Sequence, residues 1–268
     1  MILKIVGITL SLLTTTDFIE SKIHNSDNKI MKPVDKVSII IPSLNEELFI
    51  EQCLKSLRNQ SIVKQYPEYF EYIFVDNNST DNTIKFATPY VDKIIINKNG
   101  GKLTSRNIGT LNSKGNIIVS VDADMTFSYH WLNTILKPFN DYNVAGVSGS
   151  IVDIYNNPFL LKPIQILVNA IHRNLVHPTQ MYGGNSAYWK HLFYMNNQFN
   201  ININQKNVKE VVKEEEIDFG HKLFKFGKVI YKSNALGIHL GGEKVMCRHK
   251  LKSSESCRKY EIGIKRFG

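Results

Sequence analysis

Residues 116–124 read NIIVSVDAD, an apolar run that ends in two carboxylates. The apolar part has no alternation of polar and apolar residues, the pattern of a strand covered on both faces. It then releases Asp122 and Asp124 into a loop, two residues apart, where both can turn towards one point. Hard divalent cations take oxygen ligands, and Mg²⁺ or Mn²⁺ binds through one or two carboxylates together with substrate phosphates. An Asp-x-Asp alone is a weak signal, because loops are rich in aspartate. Its weight depends on what surrounds it.

Upstream lie three runs of the same kind. Val37 to Ile41 (VSIII) leads into Pro42-Ser43-Leu44-Asn45, and Tyr72 to Val75 (YIFV) into Asp76-Asn77-Asn78-Ser79. Ile94 to Ile96 leads into Asn97-Lys98-Asn99-Gly100-Gly101. Between them the sequence predicts helices. Phe49, Ile50, Cys53, Leu54 and Leu57 share one helical face, Asn45 or Ser43 is placed to cap that helix, and Glu46 and Glu47 fall in its first turn. Ser79 is the expected cap of the next helix, Asp81 a helix-end charge, and Leu103 to Leu111 a third helix. Buried strands alternating with helices imply an α/β fold with a mostly parallel sheet and helices on both faces. Ligands bind such sheets beyond the carboxyl ends of the strands. The four polar clusters all fall there, which makes that edge a nucleotide-binding-like site.

The second half is less regular. Trp131 to Phe139 reads as helix, Val144 to Val152 as strand, Leu160 to Leu175 as helix, and Lys228 to Tyr231 as strand after a helix running towards Phe226.

Bulk properties set wider bounds. The 268 residues, 43% hydrophobic and 21% charged, suffice for one large domain with appendages. A net charge of +9 favours phosphate-bearing ligands or anionic surfaces without choosing between them. No nucleic-acid partner is expected. Cys53, Cys247 and Cys257 are too few and too scattered for a disulfide framework, which suits a reducing, cytoplasmic compartment. The apolar run from Ile2 to Leu13 is shorter than the roughly 20 residues of a spanning helix, and no Ala-x-Ala-like cleavage site follows it. Met31 stands directly before the first strand as a natural start of the domain. Residues 1–34 therefore read as an extension, 35–242 as the main domain and 243–268 as a basic tail. That tail is either a solvated surface or a peripheral contact with anionic lipid at the cytoplasmic face of a membrane.

The motifs resemble those of the family 2 glycosyltransferases, which have the GT-A fold. VSIIIPSLNEELFIEQCLKSL is similar to the family's opening strand, Pro-x-x-Asn-Glu and helix, and IFVDNNSTDNT to its Val-Asp-x-x-Ser-x-Asp-x-Thr turn. GGKLTSRNIGT resembles its Ala-Arg-Asn-x-Gly segment, with Thr104-Ser105 where Ala is usual, and VDADMTF its metal motif. The likeness covers roughly Val37 to Gly241. It implies an inverting transferase that uses a UDP- or GDP-sugar donor, Mn²⁺ or Mg²⁺, and a glycan or lipid-linked acceptor. Carried over by position, Pro42, Asn45 and Glu46 line the nucleotide pocket, and Asp76 meets the base. Lys102 and Arg106 lie near the base or the pyrophosphate, Asp122 faces nucleoside and metal, and Asp124 binds the metal directly. Gly184 and Asn185, in Met181-Tyr-Gly-Gly-Asn185, are similar to the Gly-Gly-Asn segment near donor sugar and acceptor. A plain turn is the rival reading there.

Inversion needs a base for the acceptor hydroxyl. The resemblance places it in the acidic run Glu214-Glu215-Glu216-Ile217-Asp218, expected to open a helix. Glu216 takes the position of the family's Asp and Lys222 that of its Arg. Glu215 and Asp218 are the alternatives, and an acidic first helical turn is the structural one. His239 stands where related enzymes have a third metal ligand, and neutral imidazole suits Mn²⁺.

Two rivals stay open. A sugar nucleotidyltransferase usually has a Gly-rich loop after its first strand, which Pro42 to Glu46 lacks. A non-catalytic binding protein on a degenerate transferase fold is left some room by the substitutions at Glu216 and Lys222. A nicotinamide dehydrogenase is unsupported, since no Gly-x-Gly-x-x-Gly follows any strand.

Overall fold

The computed structural model describes residues 30–153, 179–196, 198–199 and 208–240, and of 153 and 208–215 only the backbone. The chain divides into two units, Met1–Met31 and Lys32–Gly268, and the described strands and helices all belong to the second. The apolar run Ile2 to Leu13, the expected helix Leu160 to Leu175 and the basic tail lie outside the described residues.

Four strands, β1 (Val37–Ser43), β2 (Phe70–Asp76), β3 (Lys93–Ile96) and β4 (Ile117–Val121), form a parallel block in the order β3-β2-β1-β4. Every residue of β1 and β4 is buried, as their unbroken apolar character requires. Helices α1 (Ile50–Arg58), α2 (Ser61–Gln65), α3 (Thr83–Ala87) and α4 (Lys102–Leu111) link them. The apolar stripe of α1 (Ile50, Cys53, Leu54 and Leu57) is buried, while Glu51 and Lys55 pair at 3.0 Å on its wet face. Gly109 lets α4 rest on β1: a Cβ there would stand 2.3 Å from Ile40 Cγ2.

The second half adds β5 (Met125–Phe127), α5 (Trp131–Leu136), β6 (Val144–Asp153), β7 (Asn185–Trp189), α6 (Lys190–Met195), α7 (Val208–Phe224) and β8 (Lys228–His239). The full sheet runs β3-β2-β1-β4-β7-β6-β8-β5. Here β7 is antiparallel to both β4 and β6, β8 is parallel to β6, and β5 is antiparallel to β8. The sheet is thus mixed, with its parallel block intact on one side.

Four local expectations differ from the structure. Helix α1 starts at Ile50 rather than beside Asn45, and neither Ser43 nor Asn45 caps it. Instead Asn45, with φ at 50°, accepts a hydrogen bond from Thr80 N at 2.7 Å, so it ties two loops together. Ser79 likewise turns back to Asp76, and Asp81 accepts from Thr83 N at the start of α3. Strand β8 does not stop at Tyr231. A bulge around Ser233 and Asn234 re-aims the strand, which then continues to His239. The acidic run at Glu214–Glu216 lies in the middle of α7, so it does not serve the helix dipole as a first turn would.

Candidate active site

The carboxyl edge of the parallel block carries a groove of about 310 Å³. One wall is Pro42, Ser43, Leu44 and Glu46, which follow from β1. The other is formed by Asn77, Gly101, Lys102 and the segment Asp122–Asp124. The four polar strand ends picked out in the sequence therefore do meet, with Asn97 buried just behind Asn77.

At the β4 end the side chains sort into two groups. Asp122 is held by two cations: Lys102 Nζ is 2.6 Å from its Oδ2, and Arg106 Nη2 is 2.9 Å from its Oδ1. Burial alone would raise the Asp122 pKa, but Lys102 and Arg106 overcome it and bring the group down to about 2. Arg106 is itself only 1% exposed, and its Nη1 is 3.8 Å from Glu216 Oε1. Its Nε and Nη1 are buried with no hydrogen-bond partner, so part of the guanidinium's donor capacity is unused. The second group is Asp124 with His239. Backbone pairing of β5 with β8 sets Met125 opposite His239, and His239 Nε2 then lies 3.0 Å from Asp124 Oδ2.

Glu216 reaches this cluster from α7. Its Oε1 accepts from Gly183 N at 2.8 Å beside Arg106. Burial raises its pKa above the ordinary glutamate value, against the opposing pull of Arg106 and the Gly183 N–H. Asp218 faces the other way: it is half-exposed and pairs with Lys222 at 2.5 Å. The Glu215 side chain is outside the described set.

Several expected site residues serve the fold instead. Asp76 is fully buried, and its two oxygens accept from Ser79 N and Ser79 Oγ. Asn185 is fully buried as well. Its Nδ2 donates to Ser150 O and Ala235 O, and its Oδ1 accepts from Trp131 Nε1, which leaves the side chain committed to joining β7, β6 and β8. Gly183 and Gly184 make room for the site's own side chains. A Cβ on Gly183 would stand 2.1 Å from Arg106 Cζ, and one on Gly184 2.5 Å from Asp122 Oδ2. Among the described residues no three His, Cys, Asp or Glu side chains form a metal cluster. Asp122 is paired with Lys102 and Arg106, and Asp124 with His239. Sequence reasoning missed Asn77 and Asn97. The hint was there, because both fall in strand-end clusters.

A mixed eight-stranded sheet whose parallel block ends in an Asp-x-Asp beside a histidine, with antiparallel strands completing the second half, is the GT-A glycosyltransferase fold. The likeness to solved GT-A structures agrees. The mannosyltransferase PcManGT from Pyrobaculum calidifontis, solved with GDP-Man and Mn²⁺, superposes with a TM-score of 0.58 at 16% identity over 89% of this chain and 67% of that one. TarS from S. aureus with UDP gives 0.57 at 18% identity over 76% and 60%. The chain belongs to glycosyl transferase family 2, whose sequence profile matches residues 38–207. Among relatives, glycosyltransferase AglE of Haloferax volcanii is 31% identical over 45% of this chain and 41% of its own length. The poly(ribitol-phosphate) beta-glucosyltransferase of Bacillus spizizenii is 38% identical over 33% and 15%. The undecaprenyl-phosphate 4-deoxy-4-formamido-L-arabinose transferase of Proteus mirabilis is 32% identical over 34% and 30%. The chain spans less than half the length of these relatives.

Proposed function

We propose that residues 35–242 form an inverting transferase domain that moves a sugar from a UDP- or GDP-sugar to an acceptor hydroxyl, with Mn²⁺ or Mg²⁺ held at Asp124 and His239. The observation that carries this reading is the Asp124–His239 pair at 3.0 Å, beside a groove lined by Lys102 and by Asp122, which the buried Arg106 backs. A carboxylate oxygen and an imidazole nitrogen turned to one point are a fitting donor set for Mn²⁺, with diphosphate oxygens completing the shell. When bound, the cation neutralises the nucleoside diphosphate as it leaves. Lys102 and Arg106 hold Asp122 in place and add positive charge where phosphates come to rest. Glu216 is the base. It is screened from bulk water, raised in pKa and held by Gly183 N–H, which makes it a stronger proton acceptor than an ordinary glutamate. Asp218, paired outward with Lys222, is the poorer alternative.

Relatives that act on undecaprenyl phosphate or poly(ribitol phosphate) favour a lipid-linked or polymer acceptor for this chain as well. The basic tail is then a peripheral contact with an anionic membrane surface at its cytoplasmic face. No helix among the described residues is long and apolar enough to cross a membrane.

The test is calorimetry of UDP and GDP with and without Mn²⁺, followed by nucleotide-sugar hydrolysis. Metal-dependent binding of one nucleotide supports the reading. Binding indifferent to metal in the intact chain overturns it.

A further inference from the structure

Among the described residues β5 is the last strand of the sheet, with β8 along one edge only. Leu240 N donates to Asp124 O at 2.8 Å. Alternation along an antiparallel pair then turns Asp124 and Thr126 towards β8, and the N–H groups of Met125 and Phe127 away from it. Both residues are buried, and a buried N–H without an acceptor is costly. Helix α1 supplies what a further strand would have given. Phe127 N donates to Ser56 Oγ at 3.3 Å, and the Met125 N–H faces the sulfur of the fully buried Cys53. That thiol, a weak donor, lies 3.5 Å from Asp122 O.

The row continues past the helix. Gln60 is fully buried and both hydrogens of its Nε2 are placed, on Ser56 O at 2.9 Å and Ser128 O at 2.8 Å. Its Oε1 accepts from Leu132 N at 2.8 Å, and Ser61 N donates to Tyr129 O at 2.9 Å. Positions 53, 56 and 60 follow the i, i+3, i+7 spacing of one helical face, so this row tracks the chain from Asp122 to Leu132. Leu54 and Leu57 of the same helix are buried in the core instead. The turn that carries Asp122 and Asp124 is thus gripped from two sides, by Leu240 N–H beyond β8 and by Cys53 on α1.

We infer that Cys53, Ser56 and Gln60 are positioning residues for the cation site: they hold the outer edge of β5 in place of a strand, and so fix where Asp124 stands against His239. None of the three lines the donor groove. This rests on the cation being held at Asp124 and His239, as proposed above.

The experiment is a Mn²⁺ titration by calorimetry at a fixed concentration of UDP or GDP, with thermal melting of each variant alongside. Cys53→Ala combined with Ser56→Ala should weaken apparent Mn²⁺ affinity about tenfold, the scale on which support behind metal ligands acts. Cys53→Ser combined with Ser56→Thr keeps a hydroxyl at both places and should recover most of that loss. Leu57→Ala leaves a cavity on the core side of the same helix. It should lower the melting temperature and leave the Mn²⁺ affinity of the folded protein unchanged. If the combined alanine variant does not fold, Ser56→Ala against Ser56→Thr carries the same comparison at a half-buried position. Wild-type Mn²⁺ affinity in the folded alanine variants overturns the inference and leaves the cation site standing. An equal loss of affinity in Leu57→Ala does the same, since general loosening would then account for both. A wild type whose nucleotide binding ignores Mn²⁺ brings down the cation site and this inference together.

Discussion

His239 Nε2 lies 3.0 Å from Asp124 Oδ2, although 115 residues separate the two along the chain. The contact exists because β8 bulges and then runs on beside β5, with Leu240 N donating to Asp124 O at 2.8 Å just beyond it. A carboxylate facing an imidazole nitrogen needs a proton or a cation between them, and under the proposed function that occupant is the cation. Asp124→Ala should therefore abolish the Mn²⁺-dependent part of UDP or GDP binding. His239→Ala should weaken apparent Mn²⁺ affinity by about 10–100-fold, the scale on which metal sites respond to loss of a supporting group. Calorimetry at stepped Mn²⁺ concentrations measures both. Wild-type metal dependence in Asp124→Ala would mean that the cation is held elsewhere.

Arg106 is the hinge of the site's charge balance, because it meets Asp122 and Glu216 from a position 1% exposed to solvent. Arg106→Met removes the cation and leaves both carboxylates buried, Asp122 with Lys102 alone. Such a break should cost about 3–5 kcal/mol of stability, measured by urea unfolding. Arg106→Lys should recover only part of it, since a point charge does not span two partners as a planar guanidinium does. A loss within about 0.5 kcal/mol, the usual range for a surface change, would show that the cluster is not under this tension.

The parallel block was legible because burial on both faces leaves β1, β2 and β4 mostly apolar, and the polar clusters at the strand ends then stand out as places for chemistry. Asp124, Lys102, Arg106 and His239 were legible through the motifs at those ends. Two kinds of information were not. β5 is three residues long, and it is a strand only because β8 pairs with it, a non-local fact that no local pattern carries. The second is the direction of a side chain. Asp76 and Asn185 sit at motif positions, yet hydrogen bonds from Ser79 and Trp131 commit them to the interior.

Glu216 gives a pH prediction with two parts. Burial raises its pKa, so the acid limb of kcat/KM should lie above the ordinary glutamate value of roughly 4.3. Arg106 pulls that pKa down, so Arg106→Lys, if it weakens the contact, moves the limb to higher pH. For stability, a folded-state pKa above the unfolded one means that the contribution is complete below the unfolded value and is lost as pH rises through the folded value. Glu216→Gln keeps an oxygen for Gly183 N–H and removes the ionisation. It should be at least as stable as the wild type at neutral pH, bind donor normally, and lose transfer by at least about 100-fold. A variant that transfers sugar at the wild-type rate would assign the base to another group.

Gly184 is needed for Asp122. An added Cβ would stand 2.5 Å from Asp122 Oδ2, 2.8 Å from its Cγ and 3.1 Å from Met125 Sδ, so the carboxylate would have to give way. Asp122 cannot shift freely, because Lys102 and Arg106 grip its two oxygens. Gly184→Ala should thus cost roughly 1–3 kcal/mol from overpacking and disturb the same ion pairs that Arg106→Met breaks. The two effects should be less than additive when the variants are combined, since both act on one cluster. Urea unfolding of the two single variants and the double variant measures this coupling. Strict additivity would show that the glycine and the arginine support Asp122 independently, and that the paired glycines serve the loop rather than the site.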